Sequence, residues 1–276
     1  LFMGLTIKLV ATDLDGTLLK DDKTISKVDI NTLEILGNEN IVRVVATGRS
    51  MHSVQKVLHE NFPVDYIIFS TGCGIYDWKN KKLLFSAGLK SDEIQFAVKT
   101  FVEERLDFTV HYPVPNNHRF VYYINGNRNP DFENYCLHFA EFAAPWDKKL
   151  NSLNEGAQLL SIMPHDLERY CWIKDRLANF KVVRTTSPQN HQNIWIEVFN
   201  SSVSKGNSLA KLCQDLKIDR ENTFSIGNDF NDIELLDFTR YSFVVANAHD
   251  DLKDKYNTTY SNQEDGFSRA IFGILL

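Results

Sequence analysis

Short apolar runs alternate with amphipathic stretches along this chain. Residues 7–12, IKLVAT, form an apolar run that stops abruptly at Asp13-Leu14-Asp15-Gly16-Thr17. A continuous β-branched run bounded by a glycine turn predicts a strand buried on both faces, as in a parallel sheet. Residues 28–36 have helical spacing. Residues 41–46, IVRVVA, predict a second strand that stops at Thr47-Gly48-Arg49. Residues 50–58 predict a helix with Ser50 as its N-cap. Residues 66–70 predict a third strand, ending in Thr71-Gly72-Cys73-Gly74. Alternating strands and helices, with each strand closing in a polar or glycine-rich loop, predict a doubly wound parallel sheet of Rossmann-like type. Ligands of such sheets bind beyond the carboxyl ends of the strands.

The rhythm then changes. Helical spacing at 91–104, 131–142 and 166–178 is interleaved with extended segments at 108–111, 120–124, 158–163, 181–186 and 194–199. Strand pairs with helices on one side predict an α+β module inserted into the first domain. Its expected extent is 84–193, which leaves 1–83 and 194–276 as the core. From Val203 the α/β rhythm resumes. A helix starts at Lys205-Gly206, and a strand at 223–226 leads into Gly227-Asn228-Asp229-Phe230-Asn231-Asp232. A last strand, at 241–245, leads into Ala246-Asn247-Ala248.

With 276 residues, the chain is long enough for two domains. A net charge of −6 argues against a broad, non-specific grip on nucleic acid. A local cluster of cations could still hold a small anion. No apolar run approaches the ~18–20 residues of a membrane span, and the start at Leu1–Leu5 is too short and uncharged for a signal peptide. Cys73, Cys136, Cys171 and Cys213 include no CxxC pair. They read as reduced thiols, which places the protein in the cytoplasm and argues against a zinc site.

The chemistry gathers at the predicted strand ends. Asp13 and Asp15, at i and i+2, project to the same side of an extended segment. Two such carboxylates repel unless a cation binds or one is protonated, and magnesium suits carboxylate oxygens, waters and phosphate. One carboxylate can attack phosphorus, and the other can serve as acid and base. A DxD in a surface turn can also arise by chance. The Thr47 hydroxyl and the backbone amides at Gly48 can hold phosphate oxygens, although a Thr-Gly bend needs no ligand. Lys205 can neutralise phosphate charge or simply be solvated. Asn228, Asp229 and Asp232 can complete a metal site, and Asn231 is a candidate substrate contact. Asn231 or Asp232 can equally cap a helix. The conjunction is stronger than its parts, because the ends of one sheet converge on one crevice.

DLDGT at 13–17, TGR at 47–49, SKG at 204–206 and GNDFND at 227–232 resemble the four motifs of the haloacid dehalogenase-like superfamily. The insert between the second and third motifs, Asn247-Ala248 and SNQEDG at 261–266 resemble Cof-type phosphatases with a C2-type cap. The resemblance implies a magnesium-dependent phosphatase acting on a small phosphorylated metabolite. It makes Asp13 the nucleophile, Asp15 the general acid and base, and Thr47 and Lys205 phosphate contacts. It places magnesium on Asp13, the Asp15 carbonyl and the acidic loop. Two positions depart from the family pattern. Asn228 stands where an aspartate is usual, and Thr71 stands where an asparagine is usual.

Rival readings remain. A phosphomutase or a phosphonate hydrolase could use the same core, the latter with a Schiff-base lysine among Lys90, Lys99, Lys148 and Lys149. A non-catalytic sensor of phosphorylated metabolites is disfavoured by the intact aspartate pair. The absence of GxxxxGK[ST] disfavours a P-loop nucleotide-binding protein. Polar residues of the insert (Asn116, Asn117, His118, Arg119 and Tyr123) are candidates for substrate choice, or ordinary loop and strand residues. The sequence leaves the oligomeric state open.

Overall fold

The computed structural model describes residues 7–146, 153–186 and 193–275. The chain divides into two compact units. One joins the segment up to Ser86 to the segment from Ser204, and the other is Ala87–Val203.

The first unit opens with β1 (Leu9–Thr12), α1 (Lys27–Asn38), β2 (Val42–Ala46), α2 (Met51–Val54), β3 (Tyr66–Phe69), β4 (Gly74–Asp77) and β5 (Lys82–Ser86). The inserted unit follows with β6 (Leu89–Lys90), α3 (Ser91–Glu103), β7 (Phe108–His111), β8 (Phe120–Tyr123), α4 (Pro130–His138) and β9 (Ala143–Pro145). It continues with β10 (Glu155–Gly156), β11 (Leu159–Pro164), α5 (Leu167–Arg176), β12 (Phe180–Thr186) and β13 (Asn193–Asn200). The first unit resumes with α6 (Lys205–Leu216), β14 (Thr223–Gly227), α7 (Ile233–Phe238), β15 (Tyr241–Val244), α8 (Asp250–Lys253), β16 (Asn257–Thr258) and α9 (Gly266–Leu275).

The core sheet has the order β16-β15-β14-β1-β2-β3-β4-β5. Pairing is parallel from β16 to β3 and antiparallel in β4 and β5. From β1 the chain moves outward through β2 and β3, then returns to the other side through β14 and β15. Strand order therefore reverses at β1, which is where such sheets bind ligands. Leu9, Ala11, Val44, Ala46, Ile68 and Ile75 bury one face under Leu209, Leu212 and Cys213 of α6 and Leu235 of α7. α1 and α9 pack on each other, with Ser268 donating to buried Asp29 through its amide (3.1 Å) and its hydroxyl (2.6 Å).

The inserted unit is built on a six-stranded sheet of order β12-β13-β11-β7-β8-β9. Successive residues face opposite sides of a strand, and both sides are used here. Leu159, Phe108, Val110, Ile194, Ile196 and Val198 pack with Ile94, Ala97 and Phe101 of α3 and Ile173 of α5. On the other side, Leu160, Ile162 and Phe120 pack with Phe132, Tyr135 and Cys136 of α4.

Several sequence expectations shift. The second boundary falls at 203/204 rather than at Asn193, because β13 pairs with β11 and β12 in the inserted sheet. The first falls at 86/87, since β5 extends to Ser86 in the core sheet. The helix expected at 50–58 keeps only Met51–Val54. Met51, Val54 and Leu58 are all buried at their helical spacing, but Val57 and Leu58 both donate to Val54 O, which closes a turn. The helix expected at 131–142 ends at His138. All four cysteines are free thiols, and only Cys171 is exposed. Among the described residues, no helix is long and apolar enough to cross a membrane.

Candidate active site

β1 delivers Asp13 to the carboxyl edge of the sheet, where its amide donates to Ile226 O of β14 (2.9 Å). Asp13 is 4% exposed. Lys205, fully buried at the start of α6, donates to Asp13 Oδ1 at 2.7 Å and to Asp232 Oδ1 at 2.6 Å. Ser204 fixes this helix start by accepting from the Asn207 amide (3.0 Å). The other Asp232 oxygen accepts from the amides of Asn228 (2.9 Å) and Asp229 (3.1 Å). Asp232 thus orients the lysine and ties down its own loop.

Two carboxylates around one ammonium leave one surplus negative charge. Burial, followed by the Asp232 charge, pushes the Asp13 carboxyl up to about 7, against the opposing pull of Lys205. For Lys205, burial favours the neutral amine, but the Asp13 and Asp232 charges outweigh it and raise its pKa. A cation at the other Asp13 oxygen, Oδ2, would relieve the surplus charge.

Asp15 sits two residues on, half-buried. The Arg49 guanidinium grips both of its oxygens, at 2.6 and 2.7 Å, and Lys23 lies 3.6 Å away. Burial acts to raise the Asp15 pKa, but the Arg49 hydrogen bonds and charge outweigh it and hold the carboxyl below its ordinary range. Arg49 belongs to the TGR motif, yet its role was not predicted, because its partner lies 34 residues away. The Asp15 turn has its own braces. Asn247 Nδ2 donates to Gly16 O (2.8 Å), and the Asn262 amide donates to Asn247 Oδ1 (3.0 Å). The late NA and SNQEDG motifs therefore hold the DLDGT turn. Gly16 has φ +76°, and a Cβ there would lie 2.6 Å from the end of the Asn228 amide, so only glycine fits that turn.

Asn228 points at this turn. With its amide nitrogen facing inward, it donates to Asp13 Oδ2 (3.1 Å), Asp15 O (3.2 Å) and Thr17 Oγ1 (3.2 Å). Adjacent ligands of an octahedral magnesium ion, each ~2.1 Å from the metal, are about 3 Å apart. The end of the Asn228 amide lies at that spacing from both Asp13 Oδ2 and Asp15 O, so with the amide oxygen turned to the site these residues fit a magnesium ion. Asp229 is turned elsewhere; it caps the Phe230 amide (2.6 Å) and lies 3.5 Å from His249 Nε2. Among the described residues, no group of three or more His, Cys, Asp and Glu side chains is arranged for a metal.

Thr47 is buried, and its hydroxyl accepts from the Arg49 amide (3.1 Å). Asn231 Oδ1 lies 3.4 Å from Lys205 Nζ, which turns the Asn231 amide nitrogen toward Gly48. The structure thus brings Asp13, Asp15, Thr47, Gly48, Lys205, Asn228, Asn231 and Asp232 to one end of the sheet and sets Asp229 at its margin. Lys90 and Lys99 are exposed, paired with Glu155 and Glu103. The Glu155 hydrogen bond raises the Lys90 pKa, the opposite of what a Schiff-base lysine needs. Lys148, Lys149 and the Leu1–Leu5 start lie outside the described residues.

A buried lysine bridging two aspartates at the end of the sheet, in a core interrupted by a second unit, defines a two-unit α/β protein with a charged site at its strand ends. The model of the haloacid dehalogenase-like hydrolase family matches residues 10–271, and the chain belongs to that family. Among its relatives is the 5-amino-6-(5-phospho-D-ribitylamino)uracil phosphatase YwtE of Bacillus subtilis, 25% identical over 292 residues and covering 98% of each chain. YitU, a second Bacillus subtilis phosphatase of that name, is 26% identical over 272 residues, covering 95% of this chain and 96% of its own. In fold, the chain is similar to a haloalkanoate-superfamily phosphatase from Bacteroides thetaiotaomicron, with TM-score 0.80, 17% identity and coverage of 98% and 95%. It is also similar to a subclass IIB sugar phosphatase, with TM-score 0.76, 18% identity and coverage of 97% and 99%.

Proposed function

We propose that the protein is a magnesium-dependent phosphatase that hydrolyses the phosphate monoester of a small sugar- or polyol-like metabolite. The observation that carries this reading is the Asp13–Lys205–Asp232 cluster, buried beside Asp15. The substrate class is supported by relatives named for a phosphoribityl compound and by a structural neighbour named a sugar phosphatase.

Lys205 holds one Asp13 oxygen in place, and that oxygen attacks phosphorus. The P–O bond to the alcohol breaks as the acyl phosphate forms, and Asp15 protonates the departing alkoxide. In the second half, water attacks phosphorus, Asp15 takes its proton, and phosphate leaves from a regenerated Asp13. Arg49 favours ionised Asp15, so it assists the second half and must loosen its grip in the first. The Thr47 hydroxyl, the Gly48 amide, Lys205 and Asn231 hold the phosphoryl oxygens. Asp13, the Asp15 carbonyl and Asn228 would hold magnesium, with Asp232 acting through Lys205 and Asp229 at the loop margin. The bound metal supplies positive charge against the phosphoryl oxygens.

Substrate choice is assigned to the inserted unit, in keeping with the resemblance to capped phosphatases. The deciding experiment measures phosphate release from a panel of sugar and polyol phosphates with magnesium, using Asp13→Asn as the control. Turnover that depends on both magnesium and Asp13 is expected. Equal turnover by folded Asp13→Asn protein would refute the covalent route.

A further inference from the structure

β3 leaves the sheet through an unusual corner. Ser70, Thr71 and Gly72 have φ of +51°, +57° and +107°, three left-handed residues in succession. Gly72 must be glycine, because a Cβ there would lie 2.3 Å from Ser204 O. Threonine is a poor choice at such an angle. Its branched Cβ crowds the backbone, whereas asparagine or glycine would sit there with less strain. The corner is held by its neighbours. The Ser70 amide donates to Arg49 O (2.8 Å), the Thr71 amide to Thr47 O (3.1 Å), and Ser208 Oγ to Gly72 O (2.7 Å). Backbone strain that the surroundings enforce this firmly is characteristic of functional positions.

The Thr71 side chain gives that strain a purpose. Thr71 is 4% exposed, yet its hydroxyl makes no hydrogen bond among the described residues. A Cβ built on Gly48 would lie 3.7 Å from Thr71 Oγ1 and 3.7 Å from Asn231 Nδ2. The missing side chain at Gly48 thus leaves a space faced by a hydroxyl and an amide nitrogen. The Gly48 N–H, which has no protein acceptor among the described residues, lies at the same loop. A hydroxyl and an amide nitrogen thus face one space, with the Gly48 N–H on the loop that borders it. That arrangement suits an oxyanion.

We propose that the Thr71 hydroxyl is a substrate-binding group that donates to a phosphoryl oxygen, beside the Gly48 amide and the Asn231 side chain. This rests on the phosphatase reading and adds a contact to it. The strained corner then serves to aim a short, β-branched hydroxyl that asparagine, longer and flat, would not place in the same spot.

The test compares Thr71→Val, Thr71→Ser and Thr71→Gly in the full chain. The probes are inorganic phosphate, by calorimetry, and a generic phosphate ester, by turnover. Thr71→Val keeps the shape and loses the hydroxyl. Phosphate affinity should fall about tenfold or more and KM should rise in parallel, as expected for a lost charge-assisted hydrogen bond. Thr71→Ser should restore both. Thr71→Gly should raise Tm by relieving the strained angle and still bind phosphate weakly, a split that a purely structural role would not produce. If Thr71→Val binds phosphate and turns over within twofold of wild type, the contact is wrong and the phosphatase reading stands. If wild type neither hydrolyses the ester nor binds phosphate, the phosphatase reading itself falls.

Discussion

The two units bury different things. The core buries charge in the linked set of Asp13, Lys205 and Asp232, whose members come from the ends of β1, α6 and the loop after β14. The inserted unit buries rings. Phe108 stacks on Tyr123, Phe120 packs on Tyr135, and Tyr135 meets Trp195 edge to face. Several of its buried polar atoms, Thr109 Oγ1, His111 Nε2 and Trp195 Nε1, lack partners among the described residues. A buried charge set is costly to assemble and is retained where chemistry needs it. Aromatic packing stabilises a shape and leaves its chemistry free to vary. The contrast predicts that substitutions in the core strike turnover first, whereas those in the insert strike stability.

The hardest test is Asp13→Asn. Turnover should drop on the order of 10⁴-fold or more. Tm should hold or rise, because the substitution removes the surplus negative charge. Phosphate release and a melting curve check both, and a large loss of Tm would break the contrast. Next is Lys205→Met, which leaves two buried carboxylates without their cation. Removing one partner of a buried ion pair costs about 3–5 kcal/mol, so activity and stability should fall together in denaturant titrations.

The insert also answers to pH, in a more acidic window than the core's Asp13. Burial drives the His111 imidazole down to about 4, although the Asn117 carbonyl works to raise it. Between pH 6.5 and 4 the unfolded chain binds a proton that the folded chain excludes. Stability therefore falls as pH is lowered through that window. At roughly 1.4 kcal/mol per pH unit, the loss comes to about 3 kcal/mol. His111→Gln should flatten the slope of the insert's unfolding transition between those pH values. An unchanged slope would show that His111 is not its source.

The smallest effect sharpens the core side. Asn228→Asp should lower the magnesium needed for half-maximal activity about tenfold, the equivalent of roughly 1.4 kcal/mol. Without metal it should lower Tm, because a carboxylate would replace an amide that donates to Asp13 Oδ2. Equal magnesium titrations for the two proteins would remove Asn228 from the metal site.

Much of the core could be read from sequence, because a strand buried on both faces writes itself as a continuous apolar run. β1, β2 and β3 follow such runs, and each is followed by the loop that carries chemistry. The hairpin of β4 and β5 was missed, since β5 alternates between exposed and half-buried positions at the sheet edge. β13 was readable as a strand but not as part of the insert, because periodicity does not say which sheet a strand joins. The site residues were readable for a similar reason to β1: they lie at strand ends within short motifs. The partners of Asp15 and Asn228 were not, because Arg49 and the Asp13 loop reach them only through the fold. Thr71 showed as a departure from the family pattern, but its left-handed angle is written nowhere in the local sequence.

β1 also sets the order in which the core can be completed. Its pairing with β2 joins Leu9 to Val42, close in sequence, whereas its pairing with β14 joins Leu9 to Thr223, 214 positions on. During synthesis, one edge of β1 stays bare while the whole inserted unit emerges. Contacts this distant in sequence form slowly, and an unpaired apolar strand invites association with other chains in the meantime. The insert, whose contacts close within 87–203, is free to fold during that wait. Lys205 emerges just behind it, ahead of β14, and Asp232 follows. The charge set of Asp13, Lys205 and Asp232 can therefore come together only once β14 has joined β1.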